Sequence, residues 1–555
     1  MKNLYNLTVP LRDGITLAAD RYGPAGDAPA PAIVLGTPYG KNDPRRPAQA
    51  ALMAERGYAV VIYDVRGRGD SDGVFEPYRN EGRDGYDVIE WVAAQDWCDG
   101  NVASWGGSYS GHAQWLTALE KPPHLRAIVA YATPSDPFVD FPTGTRLPQE
   151  VCWYRMVDRR ALQNVAGIDW NAVYSHLPLY TMDEAAGFVS AAWRADIGHA
   201  PGDTEYWAPL AYQQKLSVVD VPALHITGWY DDVQPGTLRN FAAMVSKAPT
   251  EKARRAQRLV MGPWGHDAGR AGGRRIGDVD FGDHAEDVEV TDLELRFLDH
   301  HLRGIDNGVD REARARLFLM GRGEWRDADE WPLPETVWTS LYLRSAGDAN
   351  TRGGGGRLTI DAPASEEPTD TYRYDPADPV PFLTEPTSMQ IGGPDDYAEV
   401  EDRDDVLVYL GPELGEPLTV IGPVRAELFV GSDAPDTDFT AKLVDVGPDG
   451  VRRRLCDGIV RARYREGFAM ELALRPGVVY RVEVDMWSTA HEFSVGHRVG
   501  LEISSSAFPK YDRNQNTGGS IVHGAEPRVA HNEIWHGPER PSRLILPVIP
   551  GLDPV

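Results

Sequence analysis

The decapeptide Ala103-Ser104-Trp105-Gly106-Gly107-Ser108-Tyr109-Ser110-Gly111-His112 decides the fold of this 555-residue chain. A short strand-like run ends in two glycines, a serine and further small residues, and a helix-favouring segment follows from His112 to Glu120. A serine at such a strand-to-helix turn takes a strained backbone conformation, and only small residues fit around it. The pattern predicts a nucleophile elbow, which presents the serine oxygen above the sheet of an α/β-hydrolase.

The elbow departs from the strict Gly-x-Ser-x-Gly form at one position. Ser110 stands where that form has its second glycine, and Gly111 follows it. Because turns of small residues also occur in ordinary loops, the assignment depends on finding the sheet and the partners of Ser108 elsewhere in the chain.

On both sides of the elbow, segments typical of buried strands alternate with segments of helical spacing, as in a doubly wound sheet. The start of the chain predicts a hairpin, and two later segments have helical spacing, 83–95 and 291–302. Short apolar runs of the kind that parallel sheets bury on both faces occur at 31–36, 58–64, 102–105, 127–131, 223–227 and 258–261. This alternation predicts an α/β-hydrolase core formed by residues 1–137 and 217–332.

Two other regions break this rhythm. Residues 138–216 are rich in aromatic residues with helix-like spacing, which predicts a helical cap over the carboxyl edge of the sheet, where it forms one wall of a pocket. The alternative is a separate small core without substrate contact. Residues 333–555 combine prolines, glycines and alternating strands, which predicts an all-β domain.

Net charge, hydrophobicity and cysteine content exclude several kinds of partner and site. The formal charge of −27 argues against nucleic acid as a partner. No apolar run is long enough to cross a bilayer and no signal peptide is recognisable, so the expected location is cytoplasmic. Three widely separated cysteines allow neither a disulfide framework nor a zinc site, and we expect no metal and no cofactor.

The partners of a serine nucleophile follow it in the expected chain order. In α/β-hydrolases an acidic residue and then a histidine come after the serine, each on a loop behind a strand. Asp231 follows the strand at 223–227, and His266 follows the strand at 258–261. We therefore predict the triad Ser108, Asp231 and His266, with Asp232 as an alternative to Asp231.

The oxyanion of a tetrahedral intermediate needs at least two donors. The backbone N–H of Tyr109, directly after the nucleophile, is the first candidate. The second is expected from the loop after the early strand, where Tyr39 offers a phenolic O–H. The alternative for Tyr39 is simple packing beside Pro38.

With these residues in place, the chain resembles the family of serine hydrolases that contains cocaine esterase, Xaa-Pro dipeptidyl-peptidase and α-amino acid ester hydrolase. The resemblance implies a helical cap on the α/β-hydrolase core and a C-terminal β jelly-roll domain. It also implies the roles already given to Ser108, Asp231, His266, Tyr39 and Tyr109. The motifs that carry it span nearly the whole chain. In the predicted α/β-hydrolase core they are Thr37-Pro38-Tyr39, Asp64 to Gly73, Gly106 to Gly111, Gly228 to Asp231, Gly262 to His266 and Phe297 to Gly304, and in the predicted all-β domain Asp436 to Phe439 and Gly496 to Arg498.

Departures from the family concern the substrate pocket. Cocaine esterase has an aromatic residue two positions after its triad aspartate, where this chain has Val233. Together with Trp153 and Tyr154 of the cap, Val233 is a candidate pocket residue. Arg66 and Arg68 are expected to hold the loop at 64–73 by hydrogen bonding.

The sequence thus predicts a serine hydrolase that cleaves small carboxylic esters, and amides as a further option, through an acyl-enzyme. The alternatives are an Xaa-Pro dipeptidyl-peptidase, an acyltransferase or cyclase using the same acyl-enzyme, and a non-catalytic binding or scaffold protein. The expected partner is a small-molecule ester or amide substrate. Neither nucleic acid nor a membrane is expected, and a homodimer stays open.

Overall fold

The computed structural model describes residues 1–134, 145, 147–270, 273–384 and 392–551. Within these ranges the chain forms an α/β unit, a group of short helices inserted into it, and a β-rich unit. The part of the predicted cap at 138–144 and residue 146 lies outside the described residues.

The α/β unit is built on a ten-stranded mixed sheet with the order β1-β2-β4-β3-β5-β6-β7-β8-β11-β12. The predicted hairpin and all six predicted apolar strands are present in it. Its strands are β1 (Lys2–Pro10), β2 (Thr16–Gly23), β3 (Ala30–Thr37), β4 (Ala59–Asp64), β5 (Cys98–Gly107), β6 (Leu125–Tyr131), β7 (Ala223–Gly228), β8 (Gln257–Gly262), β11 (Ala315–Leu319) and β12 (Glu324–Ala328); β9 (Arg275–Ile276) and β10 (Val279–Asp280) form a separate hairpin.

Helices cover both faces of this sheet because its central strands are apolar on both sides. Strands β3 to β8 are parallel to one another, and the buried apolar residues of β3 to β7 divide between two hydrophobic clusters on opposite faces. The helices are α1 (Arg45–Glu55), α2 (Glu81–Ala93), α3 (Tyr109–Leu119), α9 (Gln234–Lys247), α10 (Glu251–Arg255) and α11 (Val290–Arg303). The helix after the elbow begins at Tyr109, three residues before the predicted start, because Ser108 itself is the N-cap.

The inserted segment between β6 and β7 consists of short helices. They are α4 (Glu150–Met156), α5 (Trp170–Tyr174), α6 (Met182–Ala185), α7 (Ala191–Gly198) and α8 (Thr204–Trp207). Their aromatic residues pack into a core of their own, to which Phe508, Ile521 and Val522 of the β-rich unit also contribute. The segment therefore contacts the sheet unit on one side and the β-rich unit on the other.

The remaining strands form one eleven-stranded sheet system around the largest hydrophobic cluster of the described residues. Strand β20 pairs with the long strand β17, and the glycine run 353–356 lies in the loop that leads into β14. The strands are β13 (Val337–Arg344), β14 (Arg357–Thr359), β15 (Asp370–Tyr374), β16 (Leu407–Leu410), β17 (Leu418–Ser432), β18 (Asp438–Val446), β19 (Arg452–Arg461), β20 (Tyr480–Phe493), β21 (Arg498–Ser504), β22 (Ala530–Trp535) and β23 (Arg543–Val548).

The predicted fold class, an α/β-hydrolase core with a helical insertion followed by an all-β domain, is confirmed. In the described ranges, no helix has both the length and the apolar character needed to span a bilayer.

Candidate active site

Ser108 occupies a strained turn between β5 and α3. Its φ of 56° and ψ of −125° lie in a region that non-glycine residues rarely adopt, which costs about 1–3 kcal/mol. Its N–H donates to the carbonyl oxygens of Tyr131 and Ala132, both at 3.0 Å, so the end of β6 holds the turn in place. The side chain is half-buried at the carboxyl edge of the sheet. This is the geometry of a nucleophile elbow.

The small residues around Ser108 are required by close packing. A Cβ on Gly107 would lie 2.0 Å from the ring of Tyr131, and one on Gly106 would lie 2.8 Å from Cβ of Ser110. Ser110 fits in place of the usual glycine because its hydroxyl donates to the carbonyl of Gly36 on β3 at 2.6 Å. The departure from the strict elbow motif therefore adds a hydrogen bond to the neighbouring strand.

Sheet order brings the three predicted triad residues to one edge. Strands β5, β6, β7 and β8 are adjacent and parallel, and their last residues pair across the sheet: Gly107 with Tyr131, and Gly228 with Gly262. The loops that carry Ser108, Asp231 and His266 leave these strand ends. The two partner loops are also joined directly, because the N–H of Tyr230 donates to the carbonyl of Trp264 at 3.0 Å.

His266 and Asp231 form the expected hydrogen bond. Nδ1 of His266 lies 2.8 Å from Oδ1 of Asp231. The Asp231 side chain is fully buried, and it also accepts hydrogen bonds from the Thr227 hydroxyl and the Val233 N–H. An imidazole that donates from Nδ1 has its lone pair on Nε2, the atom that takes a proton in a Ser-His-Asp triad.

Asp232 is a second carboxylate on the same nitrogen. Its Oδ1 lies 2.9 Å from Nδ1 of His266, so the imidazole faces both members of the acidic pair. Asp231 is the better held of the two, through Thr227 and the Val233 amide. The structure therefore brings both acidic residues that the sequence offered for this role, Asp231 and Asp232, to the base.

The paired carboxylates change the titration of the site. Burial lowers the pKa of His266, but the two nearby negative charges outweigh it and leave that pKa well above its ordinary value. Burial raises the pKa of each carboxyl group while the imidazolium lowers it. The balance leaves the pKa of Asp231 raised and that of Asp232 lowered.

The β-rich unit forms hydrogen bonds with residues next to Asp231 and Asp232, in the acidic loop (230–234). The Gln234 side chain donates to the carbonyl of Ser488 and accepts from the N–H of Ser488, both at 3.0 Å, and it also donates to the carbonyl of Trp229. The Tyr230 hydroxyl donates to the carbonyl of Arg454. Sequence reasoning missed this support, and no local motif signals it.

The two predicted oxyanion donors lie on segments that follow the adjacent strands β5 and β3. Tyr109 is the first residue of α3, and amides at this position have no acceptor within their own helix. The positive end of the helix dipole adds to the attraction for an anion there. Tyr39 follows β3, the strand next to β5, and Nε1 of Trp153 donates to its hydroxyl oxygen at 3.1 Å.

The three predicted pocket residues occupy different environments. Trp153 is half-buried and packs near Tyr109, whereas Tyr154 is buried in the cap core, where its hydroxyl donates to Asp196. Val233, which follows the acidic pair in the sequence, is buried. Contact of any of them with substrate stays a prediction.

The two arginines of the 64–73 loop, Arg66 and Arg68, contact residues outside that loop. Arg66 pairs with Asp84 of α2, at 2.6 Å, and with Asp13. Arg68, only 1 % exposed, donates to the carbonyl of Pro38 at 2.7 Å and to that of Val157 at 2.9 Å. Arg68 therefore fixes the 64–73 loop by hydrogen bonding, as expected, and also connects the Tyr39 loop to the end of α4.

Two further features of the site bear on other kinds of chemistry. His112 is buried on α3, where its Nε2 hydrogen-bonds with the carbonyl of Leu210. Burial lowers the pKa of His112 to about 4, which fits a structural residue.

Asp231, Asp232 and His266 have one ligand atom each within 4.8 Å of one another, a spacing that a metal ion could use. A metal on Nδ1 of His266 would displace the hydrogen bond that orients the base.

Comparison with known families matches both units of the chain. A family model described as X-Pro dipeptidyl-peptidase (S15 family) matches residues 13–268. A second model, described as the X-Pro dipeptidyl-peptidase C-terminal non-catalytic domain, matches residues 307–545. The strand ends and loops that carry Ser108, Asp231 and His266 all fall within the first match.

Individual relatives extend the similarity over the whole length. The chain is 38 % identical to the cocaine esterase of Rhodococcus sp. (strain MB1 Bresler) over 98 % of both chains. It is 28 % identical to a putative serine esterase of Mycobacterium bovis, covering 98 % of this chain and 94 % of that one. Two solved structures, an aminopeptidase from a marine sediment archaeon and an α-amino acid ester hydrolase, are each 26 % identical and cover 99 % of this chain and 96 % of theirs, with TM-scores of 0.87 and 0.86.

Proposed function

The chain belongs to the X-Pro dipeptidyl-peptidase (S15) family, and on that basis we propose that it is a serine hydrolase that cleaves small carboxylic esters. The observation that most directly supports this proposal is the hydrogen bond between His266 and the buried Asp231. Both residues lie on loops that leave the same sheet edge as the strained Ser108. The relative at 38 % identity is an esterase, whereas a relative named as a putative Xaa-Pro dipeptidyl-peptidase is 22 % identical, and this difference favours esters over Xaa-Pro peptides.

The proposed reaction proceeds through an acyl-enzyme. The Ser108 hydroxyl oxygen attacks the carbonyl carbon of the ester while its proton moves to Nε2 of His266. The tetrahedral intermediate then expels the alkoxide, which takes that proton and leaves as the alcohol. Water attacks the acyl-enzyme by the same route and releases the carboxylic acid. Asp231 stays ionised and holds the imidazole in the tautomer that this exchange requires.

Two hydrogen-bond donors are proposed to stabilise the negative charge that develops on the carbonyl oxygen. We assign the N–H of Tyr109 and the O–H of Tyr39 to this oxyanion, because Tyr109 directly follows Ser108 and Tyr39 follows β3, the parallel strand next to β5. Fixed dipoles of this kind stabilise the transition state more than the neutral ester, since they need no rearrangement when charge appears.

Initial rates on a matched substrate panel test the function. The panel contains p-nitrophenyl acyl esters, their α-amino acyl counterparts and an Xaa-Pro anilide. We expect turnover of the plain esters to exceed that of the other two classes. Preferential cleavage of the anilide would instead favour the peptidase, and preferential transfer of the acyl group to an added alcohol would favour an acyltransferase.

Replacing Tyr39 by phenylalanine tests the oxyanion assignment. Loss of one oxyanion donor is expected to lower kcat on the best ester by about 10²–10³-fold with little change in KM. The ring and its packing remain, so the melting temperature should stay close to that of the unaltered enzyme. An unchanged kcat would contradict the role given to the Tyr39 hydroxyl.

A further inference from the structure

One cap residue contacts both residues of the proposed oxyanion site. Nε1 of Trp153, on α4, donates to the Tyr39 hydroxyl oxygen at 3.1 Å. The indole ring also faces the ring of Tyr109, with centroids 6.1 Å apart and planes 24° from parallel. Tyr78 stacks on Tyr109 at 4.3 Å and lies nearly parallel to the indole. Trp153 is therefore held by an aromatic group that includes the residue after the nucleophile.

The indole bond dictates what the Tyr39 hydroxyl can do. A phenol has one proton to donate and two lone pairs to accept with, whereas an indole N–H only donates. The Tyr39 proton cannot be directed at Trp153, and among the described residues none accepts it. One lone pair is occupied by the indole, so the proton remains available for an oxygen of the substrate. Donation into the phenol oxygen also polarises its O–H and strengthens the bond that this O–H makes.

The contact is built into the fold and does not depend on two side chains alone. The guanidinium of Arg68 donates to the carbonyl of Pro38, the residue before Tyr39, and to the carbonyl of Val157, the residue after α4. Charge-assisted bonds of this kind are short and strong, and Arg68 is almost completely buried. They keep the Tyr39 loop and the Trp153 helix in register, at the distance that the indole bond needs.

We propose that Trp153 is a positioning residue for the oxyanion hole, which directs the Tyr39 O–H toward the substrate by occupying the other side of its oxygen. This inference rests on the proposed function of Tyr39 and deepens it. On this proposal the cap takes part in transition-state stabilisation.

The test is a double-mutant cycle on kcat with W153F and Y39F. In the unaltered background, W153F is expected to lower kcat by about 3- to 10-fold, the effect of one neutral hydrogen bond, with KM within about two-fold. In the Y39F background the same change should have no further effect on kcat, because the hydroxyl that it positions is gone. Affinity for an alkyl boronic acid, which forms a tetrahedral adduct on a serine, should weaken in W153F by the same factor as kcat/KM.

Matched controls separate this role from a structural one. Trp170→Phe removes another indole N–H of the cap, which donates to the carbonyl of Val165 at 3.0 Å and not to Tyr39, and it should leave kcat unchanged. Equal losses from W153F in both backgrounds, or a raised KM with unchanged kcat, would overturn the proposal and leave Trp153 as a pocket wall. If Y39F alone leaves kcat unchanged, the oxyanion assignment fails together with this inference, while ester cleavage by Ser108 is judged separately by the Ser108→Ala variant.

Discussion

Ser108→Ala is expected to lower kcat on p-nitrophenyl esters by about 10⁴–10⁶-fold, because the remaining groups can bind the ester and polarise its carbonyl but have no nucleophile to offer. The alanine removes one oxygen atom from a half-buried side chain, and the strained turn is held by backbone hydrogen bonds that do not involve this oxygen. The folded structure should therefore persist. Initial rates with and without the substitution, beside a melting curve, measure the effect.

Covalent labelling identifies the reactive serine without depending on turnover. The oxygen of an activated serine hydroxyl attacks the phosphorus of a fluorophosphonate probe and displaces fluoride. The probe should therefore label the unaltered enzyme and the Ser110→Ala variant but not Ser108→Ala. Ser110 is the matched control because it stands in the same elbow, with its hydroxyl committed to the carbonyl of Gly36. Labelling that survives in Ser108→Ala would contradict the assignment of the nucleophile.

Asp231→Asn is expected to lower kcat by about 10⁴-fold, whereas Asp232→Asn should cost roughly ten-fold or less. Asp231 is fully buried and is held by Thr227 and by the Val233 amide, so an asparagine there presents its own N–H₂ or a neutral oxygen to His266 in a fixed orientation. Either choice weakens the support for the tautomer that catalysis requires. Single-turnover rates on the best ester compare the two variants.

The same pair of variants has a pH signature. The base must be unprotonated, so kcat/KM rises as pH increases through the pKa of His266. Burial lowers this pKa, and Asp232 and Asp231 raise it. Removal of the Asp232 charge should therefore move the acid limb of the kcat/KM profile to lower pH. A larger loss of kcat in Asp232→Asn than in Asp231→Asn would instead make Asp232 the residue that orients the base.

Much of the fold could be predicted because its signals are local. Each central strand is a short apolar run bounded by polar or small residues, and these runs fall on β3 to β8. The elbow is equally local, since Gly106, Gly107 and Gly111 all lie where a Cβ would collide with a neighbouring strand or turn. The loops behind β7 and β8 could be chosen because parallel strands bring their carboxyl ends to one edge.

Contacts that depend on how distant loops pack could not be predicted in this way. Asp231 and Asp232 are adjacent in sequence, and nothing local distinguishes a pair in which one faces the base from a pair in which both do. Trp153 was recognised as an aromatic residue of the cap, but its bond to Tyr39 joins residues 114 positions apart. The brace between Gln234 and Ser488 spans 254 positions.

Local sequence patterns were enough to predict the α/β-hydrolase core, the strained position of Ser108 and the loops that carry its acidic and basic partners. These follow from short-range sterics and from the periodicity with which apolar residues are buried. Three features were visible only in the folded chain: two carboxylates lie near Nδ1 of His266, Arg68 links the Tyr39 loop to the cap, and the β-rich unit supports the acidic loop. The reason is physical: hydrogen-bond direction and distance between remote segments are set by the packing of whole layers, and no stretch of sequence encodes that packing alone.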